Sequence, residues 1–179
     1  MTSPPPSGCV IASTRRVFGK ILIVSLVLGS QWLLAQEPKQ VQGFAGLIGT
    51  WKLISFQDRK SADQEWSYPY GMNPQGYIVY DTTGHVFIQM MRTPPPRPFK
   101  SGDDKKPTPE EAKAVYEGYI AYFGTYSVDE ANRVVIHHVE GSLGPSYIGT
   151  DQKRPFQLTG DRLTLGDQKT WIRVLERMK

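Results

Sequence analysis

The sequence predicts an all-β fold, a closed antiparallel barrel or a sandwich carrying one short inserted helix. Three observations point there. Runs rich in β-branched and aromatic residues recur from Thr50 to Leu175, turn residues interrupt them, and a single segment combines helical spacing with helix-start signals. Many short strands at this spacing close into barrels or stack into sandwiches.

The elements follow in order. Residues 1–20 are polar and end basic, with Arg15, Arg16 and Lys20, and Ile21 to Leu34 is an apolar run without charge. A membrane span needs about 20 apolar residues, so this run matches the core of a signal peptide better. The paired arginines in Ser13-Thr14-Arg15-Arg16-Val17-Phe18-Gly19-Lys20 resemble a twin-arginine export signal. Residues 1–35 are therefore expected to be removed near Ala35 and the mature protein to be exported, periplasmic or secreted, leaving no membrane attachment. Residues 36–46 form a polar lead-in, and residues 47–176 form the barrel domain.

Thr50 to Gln57 opens the strands, setting Trp51, Leu53, Ser55 and Gln57 against Lys52, Ile54 and Phe56. Gly76–Tyr80 and Val86–Met91 flank the turn signal Asp81-Thr82-Thr83-Gly84. Residues 94–109 are rich in proline and charge and read as a surface loop. Thr108-Pro109-Glu110-Glu111 then starts a helix: threonine caps it, proline occupies the tolerated first position, and Glu111 completes a capping box. Ala112, Val115, Tyr116 and Tyr119 give that helix an apolar face to lay on the barrel. Further strands are expected at Tyr122–Val128, Arg133–Glu140, Arg154–Leu158, Arg162–Leu165 and Thr170–Leu175.

Charge and cysteine content narrow the function classes. The full chain carries 21 basic and 17 acidic residues. Removal of residues 1–35 takes away three basic residues and no acidic one, leaving 18 against 17. Such a balance gives no basic footprint for nucleic acid. Cys9, the one cysteine, leaves with the signal, so the mature domain has neither disulfides nor thiolate ligands. No phosphate-binding glycine motif or nucleophile elbow occurs, and no cofactor is implied.

The segment richest in chemistry is His137-His138-Val139-Glu140-Gly141-Ser142. Strand alternation puts His138 and Glu140 on one face and His137 on the other. An imidazole and a carboxylate on one face are costly to bury unless they pair, bind or react. They can line a cavity and bind a ligand or transfer protons, join a polar network with Asp151 or Arg154, or meet His85 in a metal site. Only two ligands are local, so no metal is assigned. Tyr80, Gln89, Tyr122, Tyr126 and Tyr147 complete the expected ligand-binding set with His138 and Glu140. In that reading Gly124 leaves room between Tyr122 and Tyr126 for a ligand or a close backbone.

Several motifs together resemble one family. Leu47-Ile48-Gly49-Thr50-Trp51-Lys52-Leu53-Ile54-Ser55 matches the Gly-x-Trp opening of lipocalins. Pro69-Tyr70-Gly71, Gly76-Tyr77-Ile78-Val79-Tyr80, Gly84 to Met90, Tyr119 to Tyr126, His137 to Ser142 and Gly149-Thr150-Asp151-Gln152 are similar to the lipocalin-like domain family of bacteria and fungi. The resemblance implies a calycin-type barrel of about eight strands whose interior can hold one small ligand. It also implies a structural pair, in which Trp51 plugs the narrow end and Arg173 packs over it by cation–π contact, with Arg177 as the alternative partner. The function expected is carriage or sequestration of a small hydrophobic or aromatic molecule. The alternatives are a metal-free isomerase or cyclase using His138 and Glu140 as the catalytic pair, and a partner-binding domain whose barrel is filled.

Overall fold

The computed structural model describes residues 45–179; the expected signal, its cleavage site, Cys9 and the lead-in up to residue 44 lie outside the described residues. Eight strands follow one another: β1 (Gly49–Asp58), β2 (Gln75–Tyr80), β3 (His85–Met91), β4 (Tyr119–Asp129), β5 (Val134–Ser142), β6 (Asp151–Thr159), β7 (Arg162–Leu165) and β8 (Trp171–Arg177). Each pairs antiparallel with the next, and β8 pairs back with β1 to close the barrel. Closure removes the exposed edges that an open sheet would have to protect.

Alternation sorts the side chains. Val86, Ile88 and Met90 of β3 point inward, while His85, Phe87 and Gln89 point to solvent. The interior is continuous from Leu47, Trp51 and Leu53 at one end through Ile78, Tyr80, Ile88 and Tyr122 to Phe156 and Leu165. Trp51 is fully buried and donates from Nε1 to the Leu47 carbonyl at 2.8 Å. The residue packed over it is Arg177, whose guanidinium lies 4.1 Å from the ring centroid and donates to the Ile48 carbonyl at 2.6 Å. The assignment of Arg173 to this role is thus corrected: one strand register places Arg177 opposite Trp51 and Arg173 opposite Phe56.

Two bulges shift the faces. Between Leu53 and Ser55 the register of β1 against β8 slips, so Phe56 turns inward although simple alternation sets it with Lys52. Between β4 and β5, Phe123 pairs with Gly141 and Gly124 with Val139, leaving Glu140 as the extra residue. Gly124 serves that bulge: a Cβ there would lie 2.0 Å from the His138 carbonyl oxygen. The missing side chain admits close backbone, and not a ligand.

The helix α1 (Pro109–Glu117) forms with the expected cap, Thr108 accepting from the Glu111 amide while the Glu111 carboxylate accepts from Thr108. Its apolar face is not laid on the barrel. No residue of α1 is buried, and Val115 and Tyr116 are exposed.

Candidate functional site: a cavity at the open end of the barrel

The two ends of the barrel differ because the connections differ. At the Trp51 end the links are tight, Asp81 to Gly84 among them. At the other end lie the 59–74 segment, the proline-rich loop with α1, the 143–150 loop and the 166–170 turn. Between these a cavity of about 320 Å³ enters the barrel. Its apolar wall comes from Phe56, Ile78, Ile88, Met90, Ile120, Leu165 and Trp171. Its polar groups are Asp58, Tyr122, Tyr147, Arg154 and Arg173. An apolar lining with a few placed polar groups is the usual composition of a small-molecule site.

The turns fix this rim. In the β7–β8 turn the Asp167 carboxylate accepts from the amides of Lys169, Thr170 and Trp171 and from the Thr170 hydroxyl, at 2.6 to 3.1 Å. Burial works to raise this carboxyl, but those hydrogen bonds outweigh it and hold it well below the ordinary carboxylate range. The 143–150 loop is anchored by Thr150, which donates to the Tyr147 carbonyl at 2.7 Å and accepts from Gln152 at 2.7 Å. Tyr147 is thereby held edge-on to Tyr122, their ring centroids 5.7 Å apart.

Beneath the cavity floor sits His137, the fully buried polar residue of the core. Its Nε2 lies 2.8 Å from the Tyr80 hydroxyl and its Nδ1 lies 2.9 Å from that of Tyr122. Burial, with smaller contributions from Arg154 and His138, lowers its pKa to about 3, so the ring is neutral near pH 7 and carries one proton. The tautomer follows from Tyr80, which is fully buried and whose hydroxyl bonds to His137 alone among the described residues. An O–H left without an acceptor there would cost about 1–3 kcal/mol. Tyr80 therefore donates to Nε2, Nδ1–H donates to the Tyr122 oxygen, and the Tyr122 proton is left to face the cavity. Burial raises the pKa of both hydroxyls, the nearby Arg154 charge opposing it, and keeps them protonated.

The two arginines of the wall differ in partnership. Arg173 lies over Phe56 and pairs with Asp58 at 2.9 Å. Arg154 lies 5.3 Å from the Trp171 ring and donates to the Gln152 Oε1 at 3.1 Å. Among the described residues Arg154 has no carboxylate partner.

The expected site residues thus divide three ways. Tyr122 and Tyr147 line the cavity. Tyr80 and Tyr126 lie behind its wall, Tyr126 donating to the Asp81 carbonyl at 3.1 Å. Gln89, His138 and Glu140 are on the outer surface, a correction to their placement as ligand contacts. Gln89 accepts from the Tyr119 hydroxyl there at 2.8 Å. His138 bonds Asp151 at 2.6 Å and Ser127 at 2.9 Å, with 39% of its side chain exposed, and Glu140 is exposed at the bulge. Alternation correctly separated His137 from His138, but Val135, His137 and Val139 make the inner face. Strand polarity leaves both faces of β5 apolar, so no local signal in the sequence chooses between them. Arg154 and Asp58 are wall residues that sequence reasoning misses, because a charged residue in a strand reads as solvent-facing, and Trp171 joins them in the wall. Among the described residues no three metal-ligating side chains converge, and His85 instead bonds Thr83.

A profile of the lipocalin-like domain matches residues 48–176, all but the last residue of the run of strands just described. The chain belongs to the lipocalin-like domain family. It is also 38% identical, over 73 residues, to the 4'-hydroxy-3'-methoxypropiophenone carrier protein of Aspergillus oryzae. That match covers 37% of this chain and 61% of the relative's length. In this lipocalin-like chain the Gly-x-Trp opening, Gly49-Thr50-Trp51, closes one end of the barrel and leaves the other for the cavity.

Proposed function

We propose that this protein carries or sequesters a small aromatic or hydrophobic molecule in the open-ended cavity of its barrel, acting outside the cytoplasm after export. The observation that carries the reading is the cavity itself, about 320 Å³ of space walled mainly by apolar side chains at the open end of the barrel. Burying ligand surface there contributes on the order of 25 cal/mol per Å² before ordering costs. The partial match to a carrier of a substituted phenyl ketone supports an aromatic ligand. Export is supported by the basic segment with Arg15 and Arg16 ahead of the apolar run.

The alternatives have less to stand on. Proton transfer by His138 and Glu140 needs both inside the barrel, and they face outward. A filled barrel acting only as a partner-binding domain needs a solid interior, which the cavity denies.

Native mass spectrometry of the protein purified from its own host tests the carrier reading. A single small-molecule adduct at one per chain is expected. Bare polypeptide mass, together with no uptake of the neutral dye N-phenyl-1-naphthylamine, would overturn it. The N-terminal sequence of the extracellular or periplasmic protein tests export: a start near Gln36 is expected, and Met1 would contradict it.

A further inference from the structure

The polar equipment of the cavity is lopsided. Two arginines and one carboxylate reach its wall, and the carboxylate is already taken, since Asp58 pairs with Arg173 at 2.9 Å. Among the described residues the polar contacts of the Arg154 guanidinium are neutral: the Gln152 amide oxygen at 3.1 Å, the Lys153 carbonyl at 3.5 Å and the Tyr122 hydroxyl. Beside it stands Tyr122, close enough for Arg154 to act on its hydroxyl, with its proton released toward the cavity by the His137 tautomer. Arg154 is half-buried at the cavity wall, and an anionic group reaching it would make a charge-assisted contact that its neutral partners do not supply.

We infer that the ligand is an aromatic molecule bearing one anionic oxygen group, a carboxylate, phenolate or sulfonate, received by the Arg154 guanidinium and the Tyr122 O–H while its ring lies against Trp171 and Ile120. The inference rests on the carrier reading above and names the chemical class of its cargo. Guanidinium and hydroxyl donors converging on one oxygen group form charge-assisted hydrogen bonds, which are about twice as strong as neutral ones. The ring of the ligand meets the aromatic and aliphatic lining beyond them. Loading also has a structural consequence. Arg154 binds Gln152, Gln152 binds Thr150, and Thr150 binds the Tyr147 carbonyl, so the cation that meets the ligand also holds the loop at the rim.

The test uses two dyes that differ by one group, 8-anilinonaphthalene-1-sulfonate and its uncharged parent N-phenyl-1-naphthylamine, titrated by fluorescence against the wild-type chain, Arg154→Met and Arg154→Lys. The sulfonate is expected to bind the wild type at least about ten-fold tighter than the neutral dye. Arg154→Met removes that preference and leaves the affinity of the neutral dye within about two-fold, and Arg154→Lys restores part of it. Retained binding of the neutral dye shows that the variant cavity is intact. Equal affinity of both dyes for the wild type, or a sulfonate preference unchanged in Arg154→Met, overturns the anionic class and leaves the carrier reading standing. Failure of both dyes on the wild type overturns the anionic class, and together with a bare native mass it overturns the carrier reading as well.

Discussion

His137 shows how a single residue fixes the character of the interior. Its ring joins Tyr80 to Tyr122 and is held neutral, its pKa lowered to about 3 against an ordinary 6.5. The unfolded chain takes up a proton below pH 6.5 and the folded chain does not. The stability associated with this group is therefore complete above pH 6.5 and declines by about 1.4 kcal/mol per pH unit as the pH falls toward 3. His137→Phe is expected to cost about 2–4 kcal/mol at pH 7, because two buried hydroxyls lose their partner, and to flatten the acid-side slope. Urea titrations of both proteins at pH 7 and pH 4.5 measure each effect; an unchanged slope would show that the loss arises elsewhere. The chemistry of the motif was legible in the sequence, and its orientation was not. Both faces of β5 carry β-branched residues, Val135 and Val139 on one and Val134 and Ile136 on the other, so hydrophobicity could not choose between His137 and His138.

The strands and helix were legible to different degrees for physical reasons. Period-2 runs and the Asp81 to Gly84 turn located β1 to β3 because the local signals agree with the tertiary outcome. Bulges are different, since an extra residue is visible only against its partner strand. That is why alternation alone puts Phe56 on the wrong face and leaves Gly124 open between a ligand and a close backbone, of which the structure shows the backbone. Gly124→Ala is expected to destabilise the barrel by about 2 kcal/mol or more, because the added methyl would press on the His138 carbonyl at the bulge. Thermal unfolding measures this, and a neutral result would mean that β4 and β5 can part without loss. The helix behaves oppositely. Its capping box was read correctly from four residues, yet its apolar stripe did not predict burial. Thr108→Ala is expected to weaken the helix by about 1 kcal/mol while leaving the melting temperature of the barrel nearly unchanged, since α1 buries no residue. Hydrogen exchange resolved by residue would show the loss of protection confined to 109–117.

At the scale of the whole molecule, the barrel has one plugged end and one furnished end. Trp51 and Arg177 close the first through cation–π contact and carbonyl hydrogen bonds. Arg173, Arg154 and Trp171 furnish the second. Arg177→Met is thus expected to lower stability by about 1–2 kcal/mol without changing dye affinity, whereas Arg154→Met changes affinity for anions with little effect on stability. The architecture is legible from eight runs and a Gly-x-Trp opening, and the resemblance implies a ligand-holding interior; the charged part of the cavity wall is not legible, because it resembles surface sequence. Carriage requires that ligand enter from the furnished end and rest inside the barrel. A ¹⁵N–¹H correlation spectrum recorded while N-phenyl-1-naphthylamine is added tests this most directly. Shifts saturating at one dye per chain and clustered on Phe56, Ile88, Tyr122, Arg154 and Trp171 are the predicted result. Shifts centred on Ser127, His138 and Asp151 of the outer face, or no shifts at all, would contradict it.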